Sequence, residues 1–388
     1  MKILFTICIV SIFFAASAQS EAELAREAEK LLQAGDTASA IIGYNKLLEK
    51  FPLSLPATVR MMELHEATGE FDKAIQYANI SLDLIDYGIQ KYGISLEYEK
   101  DLAAVYYLKG KIRMKQSNYW AAIELLEKSI ENNDEFSESY SELARAYFET
   151  DKAAKAMEVL KKGIRKAESW KINYNLGVLY TNTKHYDSAK ICFLRSLQLN
   201  PKMTKPHYFL GTWFFAEEDY ENALEHFEEY LSIYPENKEV IYNSATAYMN
   251  SELFFEAISM WTRFIKLEGD NSEAYRNRGV ANMRISEFVL AIDDLNKSID
   301  IKPSKNYAYV NRGSCYYIQK DYSKAKDDFD IIIRDFNKYP YGYYYRALVL
   351  KAQRKKRRSC EDMREAISLG LSEDSIEEGL MEYCLGTK

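Results

Sequence analysis

The cysteines and histidines of this chain are its most versatile side chains, and their spacing decides what each can do. Five cysteines and four histidines are present. Cys8 lies in an N-terminal apolar stretch; Cys192, Cys315, Cys360 and Cys384 lie beyond it. Cys360 opens a stretch that reads as a helix ending at Leu369-Gly370. Cys384 closes one that starts near Glu373. If the two fold back at Gly370, the cysteines stand 10 and 14 residues from the turn. That offset is about 6 Å along a helix, within reach of a disulfide once the loop takes up slack. A Cys360–Cys384 bridge that clamps the C-terminal end is therefore expected. Cys192 and Cys315 read as buried thiols. His65, His185, His207 and His226 show no i, i+4 pair, and no Cys or Asp completes a metal-ligand spacing. No glycine-rich phosphate loop, G-x-S-x-G or H-E-x-x-H occurs. Glu217, Glu218, Glu228 and Glu229 read as solvated faces of helices. No catalytic residue, metal or cofactor is expected, and the chemistry left is binding.

The elements that must present such a surface are helices. Hydrophobic residues make up 47% of the 388, ample for a core, and 28% are charged. Only 7 Pro and 16 Gly are present, too few for a protein of many tight turns. A net charge of −7 argues against nucleic acid as a partner. Residues 1–18 read as a secretory signal: Lys2, an apolar stretch Ile3 to Ala15, then Ala16-Ser17-Ala18 as a small-x-small cleavage site. The apolar stretch is shorter than a bilayer span, and Ile7 before Cys8 is the wrong residue for lipid attachment. The chain is expected to be exported, periplasmic or secreted, with no transmembrane segment after cleavage.

A 34-residue period organises the rest. Gly177, Gly211, Gly279 and Gly313 share one column, with Ala245 between them. Twelve residues on come Ala189, Ala223, Ala257, Ala291 and Ala325; twenty-four on, Pro201, Pro235, Gly269 and Pro303. Upstream the register reaches Ala28 with Ala40 and Pro52; downstream it reaches Ala347, with Ser359 in the alanine column. If Gly177 is position 8 of its copy, small residues at 8 and 20 let two helices approach closely. Large apolar residues at 4, 7, 11 and 24, such as Leu210, Phe214 and Phe227, fill the space around them. The turn between the helices falls near positions 15 and 16, where Gly35 and Gly69 relax the chain and Asp36, Asn118, Asp219 and Asp321 can cap the next helix. Such a hairpin has two apolar faces and must stack on its neighbours.

The copy Leu176-Gly177-Val178-Leu179-Tyr180, Tyr186, Ala189, Phe193, Pro201 resembles the tetratricopeptide repeat. The resemblance extends over about ten copies. It implies an all-α solenoid of helical hairpins in a right-handed superhelix with a C-terminal capping helix. The expected layout is a single solenoid over 19–388. Its repeats fall at about 21–54, 55–102, 103–136, 137–169, 170–203, 204–237, 238–271, 272–305, 306–339 and 340–371, with a cap at 372–388. Between Met62 and Gly110 the period gains 14 residues, expected as longer helices or an added turn near 86–102.

The resemblance also implies a function. Positions 2, 5, 6, 9, 12 and 13 of each first helix line a concave binding face in this family. Position 5 holds Tyr174, Tyr208 and Tyr242; position 6 holds Asn175, Asn243, Asn277 and Asn311. Tyr offers a rigid apolar body with a polar tip, and Asn can bond an extended peptide backbone. These seven residues are the candidate ligand groove of a non-catalytic scaffold of the cell envelope, binding protein or peptide. A glycan stacking on the tyrosines is the alternative ligand, and simple packing between first helices is the alternative role. Position 5 never holds Lys and position 9 never holds Asn, so the family's clamp for a C-terminal carboxylate is missing. The basic run Lys351 to Arg358 reads as a solvated turn or as a patch for an acidic partner or lipid headgroup.

Overall fold

The computed structural model describes residues 20–303 and 307–385. The proposed signal, residues 1–18, lies outside the described residues. Among them are 21 α-helices and no strand. The chain forms two compact units, residues 1–203 and 204–388.

In the first unit, α1 (20–33) and α2 (Thr37–Lys50) form one hairpin. There follow α3 (Leu55–Ala67) with α4 (Phe71–Tyr92), α5 (Leu96–Lys115) with α6 (Tyr119–Asn132), α7 (Ser137–Glu149) with α8 (Ala153–Ala167), and α9 (Trp170–Asn182) with α10 (Tyr186–Leu199). The second unit repeats the scheme. It pairs α11 (Lys205–Ala216) with α12 (Tyr220–Ile233), α13 (Lys238–Asn250) with α14 (Phe254–Glu268), α15 (Ser272–Arg284) with α16 (Phe288–Ile301), α17 (Ala308–Ile318) with α18 (Tyr322–Asp335), and α19 (Pro340–Ala352) with α20 (Lys356–Ser368). A 3-10 turn, Glu373–Ser375, leads to α21 (Glu378–Leu385).

The small-residue columns set the distance between paired helices. Ala223, Ala257, Ala291 and Ala325 are completely buried, as is Ser359, whose hydroxyl donates to the Ala347 carbonyl at 2.8 Å. A Cβ placed on Gly211 would stand 2.6 Å from the Phe227 ring, and one on Gly177 would stand 2.7 Å from Phe193. Position 8 is therefore small because the residue at position 24 rests on it. Between the helices, position 15 takes the left-handed conformation in every copy: Gly35 and Gly69 first, then Ser117, Asp151, Lys184, Glu218, Glu252, Ser286, Lys320 and Arg354. An L-residue pays about 1 kcal/mol or more there. Paired backbone bonds offset this, as where Asn118 N–H reaches Arg113 O at 2.9 Å and Ser117 N–H reaches Met114 O at 3.0 Å. Asp36, Asn118, Asp219 and Asp321 then accept from the backbone N–H three residues on.

The inserted residues lengthen two helices. α4 has 22 residues and α5 has 20, against 11–15 for the other helices from α2 to α20. Tyr98 packs onto Gly88, where a Cβ would meet its ring within 2.9 Å.

Position 7 departs from expectation. In the last three copies it holds Arg278, Arg312 and Arg346, where a large apolar residue was expected. Each guanidinium makes a two-pronged contact with an aspartate 16 residues on, at 2.9 and 2.6 Å for Asp294, 2.9 and 2.7 Å for Asp328, and 2.7 and 2.7 Å for Asp362. The remaining nitrogen reaches back to the second helix of the preceding copy, to Thr262 at 3.0 Å, Asn296 at 2.6 Å and Asp330 at 2.7 Å. One planar fork thus ties three helices, a task an apolar side chain cannot perform.

At the C-terminus Cys360 and Cys384 are bridged, with Cα atoms 5.3 Å apart. Closing this loop is worth about 3.5 kcal/mol in chain-entropy terms. The final helix starts at Glu378 and not near Glu373, because Glu373–Ser375 form the 3-10 turn and Ile376 is extended. Cys192 and Cys315 are free and buried, and burial pushes both thiols up to about 11.

Two substitutions check this packing by chemical denaturation. Ala223→Leu should cost about 1–3 kcal/mol by overpacking; an unchanged midpoint would contradict the close approach of α11 and α12. Arg312→Met should cost about 3 kcal/mol by stranding buried Asp328. Adding Asp328→Asn should recover part of that loss, whereas strictly additive costs would show that the two side chains are not coupled.

Candidate binding faces of the first helices

Within the first unit α3, α5, α7 and α9 run side by side; within the second, α11 lies beside α13, and α15, α17 and α19 adjoin. These helices carry all seven candidate groove residues. Tyr174 and Asn175 stand on α9 in the first unit, and the other five stand in the second.

On α9, Tyr174 lies 5.9 Å from the Phe193 ring of its partner helix. Asn175 is half-buried and borders two hollows. One, of about 90 Å³, is lined by Arg145, Phe148, Leu160, Val178 and Asn182. The other, of about 220 Å³, is bordered by Tyr107, Glu138, Arg145, Lys171 and Tyr174. Most of these residues are at positions 2, 5, 6, 9, 12 or 13.

The tyrosines of the second unit are engaged with their neighbours. Tyr208 donates to Glu239 on α13 at 2.9 Å and lies 5.5 Å from Tyr230. Burial first, and that carboxylate second, push its hydroxyl up to about 12. Tyr242 stands edge-on to Trp261 at 5.0 Å and to Phe264 at 5.5 Å. A large part of these rings is thus spent on joining helices.

The asparagines are less committed. Asn175, Asn243 and Asn311 are half-buried and make no side-chain hydrogen bond among the described residues; Asn277 accepts two from Arg276, at 3.4 and 3.2 Å. Asn311 opens onto a hollow of about 450 Å³ between α15, α17 and α19. Its apolar wall includes Met283, Val310, Tyr317, Ile318 and Leu348, with Ser314 and Arg284 as polar neighbours. The arrangement can seat an apolar side chain and bond the backbone that carries it.

Three tetratricopeptide-repeat profiles match residues 107–170, 171–203 and 214–276. Together they cover 160 of the 388 residues, and over these the chain carries tetratricopeptide repeats. Its fold is an all-helical α-solenoid of such hairpins. No curated protein matches it. Among solved structures it is similar to MamA from Desulfovibrio magneticus RS-1, with 19% identity over 44% of this chain and 97% of that one, at a TM-score of 0.37. It is also similar to a tetratricopeptide repeat protein from Parabacteroides merdae, with 18% identity over 64% and 98%, at 0.39. A third is PilF from Pseudomonas aeruginosa, with 16% identity over 57% and 99%, at 0.41. At this level of likeness the fold is carried by the repeat geometry of the chain itself.

The structure joins one pair of histidines that linear spacing does not. His207 on α11 and His226 on α12 face each other, Nδ1 to Nδ1, at 3.0 Å. They occupy positions 4 and 23, which the hairpin register places opposite one another. One Nδ1 must donate and the other accept, so the accepting ring is neutral. Among the described residues no third His, Cys, Asp or Glu completes a metal site. The basic run Lys351 to Arg358 spans the end of α19, the turn and the start of α20. There Lys356 lies 5.5 Å from the Tyr383 ring, and Arg357 pairs with Glu361 at 3.0 Å.

Burial, reinforced by His207, pushes His226 down to about 4; Glu229 opposes this only partly. Burial lowers His207 too, against Glu229 and Glu225, while the Phe214 ring lies 5.5 Å from His226. Both folded values lie below the unfolded one, so their contribution is complete above pH about 6.5 and is lost as pH falls toward about 4. Thermal unfolding followed across this window should show a steeper loss for the wild type than for His226→Gln. Parallel profiles would disprove the assignment.

Proposed function

We propose that this protein is a non-catalytic scaffold of the cell envelope, exported to the periplasm or beyond, that binds a protein or peptide along its first-helix faces. Its tetratricopeptide repeats support the coarser part of this reading, a protein-interaction scaffold. The signal-like pattern of residues 1–18 and the Cys360–Cys384 bridge support an oxidising location. No helix among the described residues is long and apolar enough to cross a membrane.

The observation that carries the ligand reading is the position of the asparagines. Asn175 and Asn311 stand where apolar hollows open on the first-helix faces, with donor and acceptor uncommitted to other described side chains. An extended chain can place side chains in the hollows and backbone amides on the asparagines. The tyrosines contribute walls more than free stacking faces, which favours peptide over glycan.

A peptide array and a glycan array probed with the chain lacking residues 1–18 separate the two ligands. Replacing Asn277 and Asn311 together by Ala should weaken the selected peptide about tenfold, roughly 1.4 kcal/mol, with little change in the melting temperature. Glycan-only capture, or equal loss of binding and stability, would overturn this reading.

A further inference from the structure

The end of the chain lies on one of its own first helices. After the 3-10 turn, Ile376 is extended, and the Glu377 N–H donates to the hydroxyl of Tyr344 at 3.4 Å. Tyr344 is the position-5 tyrosine of α19. The Glu377 carboxylate pairs with Lys351, at position 12 of the same helix, at 3.3 Å. The Lys351 amine also lies 2.9 Å from where a Cβ of Gly379 would stand, so the absence of a side chain there admits the contact. Ile376 and Leu380 are buried in a cluster with Ala347, Leu348 and Met363 that also touches Tyr317 and Tyr345. Tyr317, Tyr345 and Leu348 line the 450 Å³ hollow beside Asn311 as well. The segment and the hollow therefore share a wall.

What holds the segment is short. α21 has eight residues, below the length at which an isolated helix persists in water. Its covalent anchor is the Cys360–Cys384 bridge. Cys360 is buried, whereas Cys384 is only half-buried and is the sulfur a reductant can reach.

We propose that residues 376–380 are a built-in occupant of the α19 first-helix face, and that reduction of the Cys360–Cys384 bridge frees this face for a partner segment of the same chemistry, an acidic residue flanked by apolar ones. The reductant is a dithiol. Its thiolate attacks the Cys384 sulfur and expels Cys360 as a thiolate, which takes up a proton. Its second thiol then resolves the mixed disulfide and releases Cys384 as a thiol. Two electrons and two protons reach the protein, and the dithiol leaves as a disulfide. Lys351 supplies the charge complement of the incoming acid, and Tyr344 the acceptor for its backbone N–H. The proposal rests on the reading of the first-helix faces as the binding surface.

The test uses the full chain and a labelled synthetic peptide of residues 371–385 carrying Cys384→Ser. Hydrogen exchange should show amides 376–385 protected in the bridged protein and fast after reduction. Equal protection in both states would overturn the proposal. Because the tethered segment competes with the probe, binding is measured on a Cys360→Ser, Cys384→Ser, Leu380→Asp chain, with far-UV circular dichroism confirming that the helical body persists. This chain should bind the probe at least about tenfold more tightly than the bridged wild type. Adding Lys351→Glu should abolish the gain, and a probe carrying Glu377→Lys should restore it, which a purely structural lysine would not allow. No gain on opening, or indifference to the charge exchange, would sink the proposal. The asparagine substitutions, read on the array-selected peptide, would still decide the broader binding role.

Discussion

Each hairpin depends on the close approach of its two helices, which the small residues at positions 8 and 20 make possible. The constraint is steric before it is hydrophobic. A ring at position 24, such as Phe193 or Phe227, rests on the bare backbone of Gly177 or Gly211, leaving no room even for a methyl group without a shift. Once that distance is fixed, the left-handed residue at position 15 and the cap at position 16 can recur almost unchanged from copy to copy. Joints of this recurring kind set successive first helices side by side within each unit.

The last three copies of the second unit solve the same problem differently. There the guanidiniums of Arg278, Arg312 and Arg346 stand where Met61, Leu143, Leu176 and Leu210 pack in four earlier copies. Each fork is satisfied by one aspartate and by an oxygen of the preceding copy. Directional bonds fix the rotation of one hairpin on the next more tightly than apolar contact can. The hollow beside Asn311 lies between α15, α17 and α19, whose hairpins are joined in this way. A rigid frame around a hollow lowers the ordering cost of filling it.

The candidate groove residues divide by chemistry. Tyrosine at position 5 is large enough to reach the neighbouring copy, so Tyr208 and Tyr242 become part of the joint between helices. Asparagine at position 6 is shorter, and Asn175 and Asn311 border hollows. The chain's own end treats Tyr344 in a related way, turning a backbone N–H toward its hydroxyl. The same side-chain row can thus join a helix to its neighbour or receive a segment of chain, depending on what comes next in space.

Much of this was legible in the sequence alone. The period, the small-residue columns, the position of the turn and the Cys360–Cys384 spacing are local or strictly periodic, and periodic patterns report helix faces directly. The sequence also held the Arg278, Arg312 and Arg346 column and the matching aspartates, yet their pairing joins positions 7 and 23 of different helices and was not read. His207 and His226 were missed for the same reason: 19 residues separate them along the chain, and only the hairpin register sets them face to face. Whether a tyrosine is spent on packing, which asparagine opens onto a hollow, and where the chain's end comes to rest depend on how neighbouring helices fill space. Tertiary packing decides these matters, because side-chain contacts between helices are fixed by distances and rotations that linear spacing does not encode.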